Sequence, residues 1–92
     1  MYIFHEDYGM GIESGVESRV EGVNCYLFSS TQKIIILKTD DIQPLRLGYT
    51  TIDGEHIEGE LVEIDGETAH LQLDDGSRKA VEYEALRILN NL

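Results

Sequence analysis

The chain has 92 residues, 18 acidic and 7 basic, for a formal net charge of −11. That length gives one domain or two very small ones and buries only about 60–65% of the unfolded surface. The charge excludes sequence-independent nucleic-acid binding, which needs a basic stripe for counterion release, and a lone cysteine, Cys25, excludes an internal disulfide and fits a reducing compartment.

Met1–His5 alternates loosely, with Tyr2 and Phe4 on one side and Ile3 on the other, and predicts a first strand. His5-Glu6-Asp7 is a polar turn before a bend at Tyr8-Gly9. The stretch from Asp7 to Tyr26 holds four of the nine glycines, at 9, 11, 15 and 22. After the bend it reads as one long curved strand, Gly11–Glu17 continued by Arg19–Glu21. Gly15 and Gly22 stand where such a strand would kink or admit another backbone, the way a short sheet begins to wrap into a barrel. Val23–Ser29 alternates Val23, Cys25 and Leu27 against Asn24, Tyr26 and Phe28, with bulk on both faces. Ser29–Lys33 is a hydroxyl-rich turn. Ile34–Lys38 is β-branched and apolar, the clearest strand in the chain, and as a free edge it could pair between two copies. Thr39-Asp40-Asp41 is a cap or turn. Ile42–Leu45 is a helical turn or short strand, and Pro44, having no N–H to donate, belongs on an edge.

The second half is punctuated by three Asp-Gly turn signals, at 53–54, 65–66 and 75–76. Between and after them lie Ile57–Ile64, Thr68–Leu73 and Ser77–Tyr83, then a short helical turn at Glu84–Leu86 and a last run, Arg87–Leu89. Strands of about six residues joined by tight turns describe an antiparallel meander. No apolar spacing of 3.6 persists, so no long helix is expected.

The halves echo each other. Thr39–Leu45 and Glu82–Leu89 each pass through an acidic turn into a pair of apolar residues three apart, Ile42/Leu45 and Leu86/Leu89. Val20-Glu21-Gly22 resembles Ile57-Glu58-Gly59. The expected fold is therefore all-β: two small antiparallel SH3-like (Tudor-like) barrels in tandem, 1–46 and 47–92, with one continuous β domain over 1–92 as the alternative. The first 46 residues carry 4 basic and 7 acidic groups and the last 46 carry 3 and 11, so the acidic field is stronger in the second half.

No catalytic constellation is present. His5, His56 and His70 have no metal-ligand spacing with Cys25. The acidic pairs Glu6-Asp7, Asp40-Asp41 and Asp74-Asp75 sit at turns, where aspartate is favoured for local hydrogen bonding. No phosphate-cradling glycine loop opens a helix. Neither an enzyme, a cofactor nor a metal is expected. No apolar run approaches ~18 residues and no signal-peptide pattern opens the chain, so a cytoplasmic protein without membrane partners is expected.

Tyr8-Gly9-x-Gly11, then Gly15, then Arg19-x-x-Gly22-Val23, then Tyr26, resembles the RNA-polymerase-interacting module of CarD-type transcription regulators, a Tudor-like domain that also occurs in the transcription-repair coupling factor. Ile34–Leu37 stands for that module's closing strand and Asp40-Asp41-Ile42 for its short acidic turn. The resemblance covers residues 1–46. Beyond them CarD proteins continue into a basic helical DNA-binding domain, whereas this chain continues into an acidic β-rich half. Direct nucleic-acid binding is therefore not expected. The resemblance implies a non-enzymatic module that docks on the bacterial RNA polymerase β subunit by edge-strand addition and modulates transcription. Its candidate contact residues are Tyr8, Arg19, Val20, Tyr26 and Phe28. Two alternatives stand beside it: an acidic nucleic-acid mimic that inhibits a DNA-binding protein, or a peptide reader whose aromatic residues cage a methylated cation.

Overall fold

The computed structural model describes residues 1–90 of the chain; residues 91 and 92, the end of the expected second domain, lie outside them. The structure is all-β, with two five-stranded antiparallel sheets, and among the described residues the only helical pieces are two short 3-10 turns. The chain divides into two compact units, Met1–Pro44 and Leu45–Leu92.

In the first unit the strands are β1 (Tyr2–His5), β2 (Gly9–Glu13), β3 (Val23–Phe28), β4 (Ile34–Lys38) and β5 (Gln43–Pro44). They order as β4-β3-β2-β1-β5. A 3-10 turn, Thr39–Asp41, leads from β4 into β5. The core is built on Ile3, Tyr26 and Phe28, with Tyr8, Ile35, Leu37 and Ile42 packed against it. Side chains of a strand alternate between faces, so Ile35 and Leu37 turn to this core and Ile34 and Ile36 turn away. Gly11 pairs with Phe28, and a Cβ at Gly11 would lie 2.7 Å from both the Leu27 carbonyl oxygen and the Phe28 ring. Only glycine lets β2 approach β3 with that ring over it.

The expected long strand through Gly15 and Gly22 is corrected. β2 ends at Glu13, and residues 14–22 form an irregular loop. Gly15 and Gly22 both adopt φ of +81° with open space around them, so they shape loop turns and do not kink a strand. Two serines organise the loop: the N–H of Val16 donates to Ser14 Oγ and the N–H of Val20 to Ser18 Oγ, at 3.1 Å each. Hydroxyl side chains of this kind compete with a strand ladder for backbone donors.

The second unit contains β6 (Arg46–Thr50), β7 (His56–Asp65), β8 (Thr68–Gln72), β9 (Arg78–Glu82) and β10 (Arg87–Ile88), with a 3-10 turn at Tyr83–Ala85. Its order, β10-β6-β7-β8-β9, repeats the first unit strand for strand. Leu47, Ile57, Leu61, Ala69 and Leu71 are buried here. β7 pairs with β6 through His56–Glu60 and with β8 through Glu60–Asp65. A register shift between Leu61 and Glu63 marks a bulge within the pairing with β8. Each unit is thus a small barrel-like domain whose sheet stays open, and both last strands pair with the first strand of their own unit.

The matching chain closes are structural equivalents: both 3-10 turns are followed by a two-residue strand, 44 positions apart. The second echo is not. Val20-Glu21-Gly22 lies in the loop after β2, whereas Ile57-Glu58-Gly59 lies within β7.

Candidate functional site

The five residues proposed from sequence separate into two groups. Tyr26 and Phe28 are 3% and 0% exposed and belong to the core, which corrects the expectation that their side chains meet a partner. Burial and the nearby Glu13 carboxylate raise the Tyr26 phenol above its ordinary value, opposed by a hydrogen bond with Asn24. Tyr8 is half-buried, its ring 5.1 Å from that of Phe28 and 5.0 Å from that of His5. These rings pack on one another and not around a space for a cation. Arg19 and Val20 are exposed in the 14–22 loop. Sequence alternation failed at Tyr26 and Phe28 because Val23–Phe28 carries bulk on both faces; the register with Gly11 decides which face is inside.

The other face of the first sheet holds what that reading missed. Tyr2 pairs with Ile12, Ile12 with Leu27 and Leu27 with Ile34, so these four side chains form one row across β1, β2, β3 and β4. Ile36, two residues on, extends the row along β4. Ile12 is 39% exposed, Leu27 36%, Ile34 54% and Ile36 66%. A groove of about 310 Å³ lined by Ile12, Leu27, Phe28, Ser29 and Gln32 opens beside it. The turn at its rim is held by Ser30 Oγ donating to the Tyr8 carbonyl at 2.9 Å and by the Gln32 N–H donating to the Phe28 carbonyl at 2.9 Å.

The second unit supplies an internal control. The row at the same place in its sheet is Arg46–Glu60–Gln72–Arg78. Every side chain of that row is polar. Around it, Arg46 Nη2 lies 3.4 Å from both Glu58 and Asp74, and His56 Nε2 lies 3.2 Å from Glu58. Acids and bases alternate on this face, as on an ordinary solvated surface.

The sheet edges differ in the same way. β5 and β10 are two residues long, and β5 includes Pro44. β9 carries Arg78, Lys79 and Glu82. Short length, proline and charge are the devices by which edges are protected from pairing. β4 is as long as β9, five residues, but alone among these edges it carries a run of three isoleucines and a leucine, and its outer-face Ile34 and Ile36 are exposed. Asp40 and Asp41, in the 3-10 turn that follows it, share a concavity with Glu6 and Asp7. Among the described residues no three His, Cys, Asp or Glu side chains are grouped to hold a metal. No helix among them is long and apolar enough to cross a membrane.

Comparison with family models, with curated proteins and with solved structures finds no match for this chain.

Proposed function

We propose that the chain is a non-enzymatic protein-binding module that docks by accepting a partner strand on β4. Its partner in this reading is the β subunit of bacterial RNA polymerase, and its role is to modulate transcription. The observation that carries the docking mode is the contrast between the two units. At equivalent positions one sheet presents Ile12, Leu27 and Ile34 beside an unprotected edge, and the other presents Glu60, Gln72 and Arg78 beside a charged one. An exposed edge of this kind gives a partner backbone hydrogen bonds for affinity and alternate side chains for specificity. The choice of polymerase rests on the likeness of residues 1–46 to the CarD-type, Tudor-like module, including Tyr8-Gly9-x-Gly11 and the strand Ile34–Leu37. A small all-β, SH3-like unit of this size suits it. Within that mode Arg19 and Val20 in the 14–22 loop remain available as contacts, and Tyr8, Tyr26 and Phe28 support the sheet from inside.

The test is a calorimetric titration against the isolated N-terminal lobe of the polymerase β subunit at two salt concentrations. Binding in the micromolar range that changes little with salt is expected of backbone pairing over an apolar row. Absence of heat at both salts removes the polymerase as partner. The acidic mimic is the weaker reading, because the carboxylates of β7 are interleaved with Arg46 and His56.

A further inference from the structure

The charge around β4 is polarised along the strand, and this constrains what can pair with it. Lys33 precedes the strand. Lys38 ends it, and after Thr39 come Asp40 and Asp41 in the 3-10 turn. Those two carboxylates line a concavity of about 380 Å³ together with Glu6, Asp7, His5 and Gln43, and no lysine or arginine lines it. Beyond the C-terminal end of the edge thus lie two carboxylates, Asp40 and Asp41, against one lysine, while Lys33 lies just before its N-terminal end. Between them lie Ile34 and Ile36, exposed on the row face.

We infer that the segment β4 accepts is an antiparallel extended strand that begins with basic residues and continues with alternating β-branched apolar ones. The inference rests on the docking reading above and deepens it by naming the chemistry of the partner strand. Every pairing in this sheet is antiparallel, and an antiparallel addition continues the same ladder. In that direction the N-terminus of the incoming segment lies over the C-terminal end of β4. Arginine or lysine there meets Asp40 and Asp41. The alternate apolar side chains then stand beside Ile34 and Ile36 as cross-strand neighbours. An acidic residue at the far end of the segment meets Lys33. A second copy of the chain is the less favoured occupant, since each copy carries a net charge of −11.

The probes are two end-blocked peptides of identical composition, Arg-Lys-Gly-Thr-Thr-Ile-Thr-Val-Glu, which sets its basic end opposite Asp41 and Asp40, Ile and Val opposite Ile36 and Ile34, and Glu opposite Lys33, and the same residues in reverse order. Each is titrated into the full chain and into its Asp40→Asn/Asp41→Asn variant, at low and high salt, with the polymerase β lobe titrated in parallel. The first peptide is expected to bind about fivefold to tenfold more tightly than its reverse at low salt, as two exposed charge pairs would give. That preference should shrink at high salt and fall markedly in the variant, which keeps only the Lys33 pair and whose two changed side chains are exposed and outside the core. Equal affinity for the two peptides overturns the inference, and so does tighter binding of the reversed one. If neither peptide binds while the β lobe does, the inference falls and edge docking stands. If neither peptide nor lobe binds, both fall. If sedimentation shows a dimer that Ile36→Lys returns to monomer, the occupant of β4 is a second copy and the inference is overturned.

Discussion

At the scale of single residues, Gly11 and Ser77 show how much one atom decides. A methyl at Gly11 would overlap the Leu27 carbonyl and the Phe28 ring, each 2.7 Å away, and neither backbone oxygen nor buried ring has room to retreat. Gly11→Ala is expected to destabilise the protein by about 1–3 kcal/mol, as overpacking in a core does, which urea unfolding will measure. Ser77 acts on charge. Its hydroxyl donates to Asp75 Oδ1 at 2.6 Å and its N–H donates to the same oxygen at 2.9 Å. These bonds, the hydroxyl foremost, favour the carboxylate and hold Asp75 below the ordinary 3.8. A depressed carboxyl contributes stability that is present above the unfolded value and lost as pH falls through the folded one. Ser77→Ala should therefore raise the Asp75 midpoint toward 3.8, read by carbon-detected NMR titration, and an unmoved midpoint would assign the shift elsewhere.

Among the strands and turns, legibility in the sequence followed the strength of the local pattern. β4 and β8 could be read directly, because Ile34–Leu37 has no competing signal and Thr68–Gln72 alternates cleanly, with Ala69 and Leu71 buried. The Asp-Gly pairs at 65–66 and 75–76 fall at the reversals between β7, β8 and β9. The 14–22 loop was misread as strand because its valines at 16 and 20 look like β-formers, while the serine-to-backbone bonds that shape it leave no periodic trace. The row through Ile12, Leu27 and Ile34 was invisible for another reason. Which residues stand opposite one another is a property of register, and one residue of slip would have turned the whole set inward. The same register makes Ile36 a clean probe. It is 66% exposed, so Ile36→Lys should leave stability within about 0.5 kcal/mol. It places a protective lysine on the edge and should abolish docking of the β lobe.

For the whole molecule, the structure amounts to one topology used twice with two different surfaces. The repeat of 44 positions is visible in the sequence only where packing demands it, at Ile42/Leu45 and Leu86/Leu89. Elsewhere the two units differ, in the residues that fill each core and most plainly in those that face outward. The charge is divided unevenly as well. The first unit, through Pro44, has 3 basic and 7 acidic residues, and the second has 4 and 11. Polar side chains at Glu60, Gln72 and Arg78 make a face that stays in water. Ile12, Leu27 and Ile34 make one that gains by being covered.

The central claim is that docking resides in this row and edge of the first unit. The measurement that tests it most directly gives the first unit the second unit's surface: Ile12→Glu, Leu27→Gln and Ile34→Arg together, titrated against the polymerase β lobe beside the unaltered chain. The account predicts that the unaltered chain binds and that the triple variant, still folded by circular dichroism and cooperative in unfolding, does not. Undiminished binding by the folded variant would contradict it and move the contact away from this face.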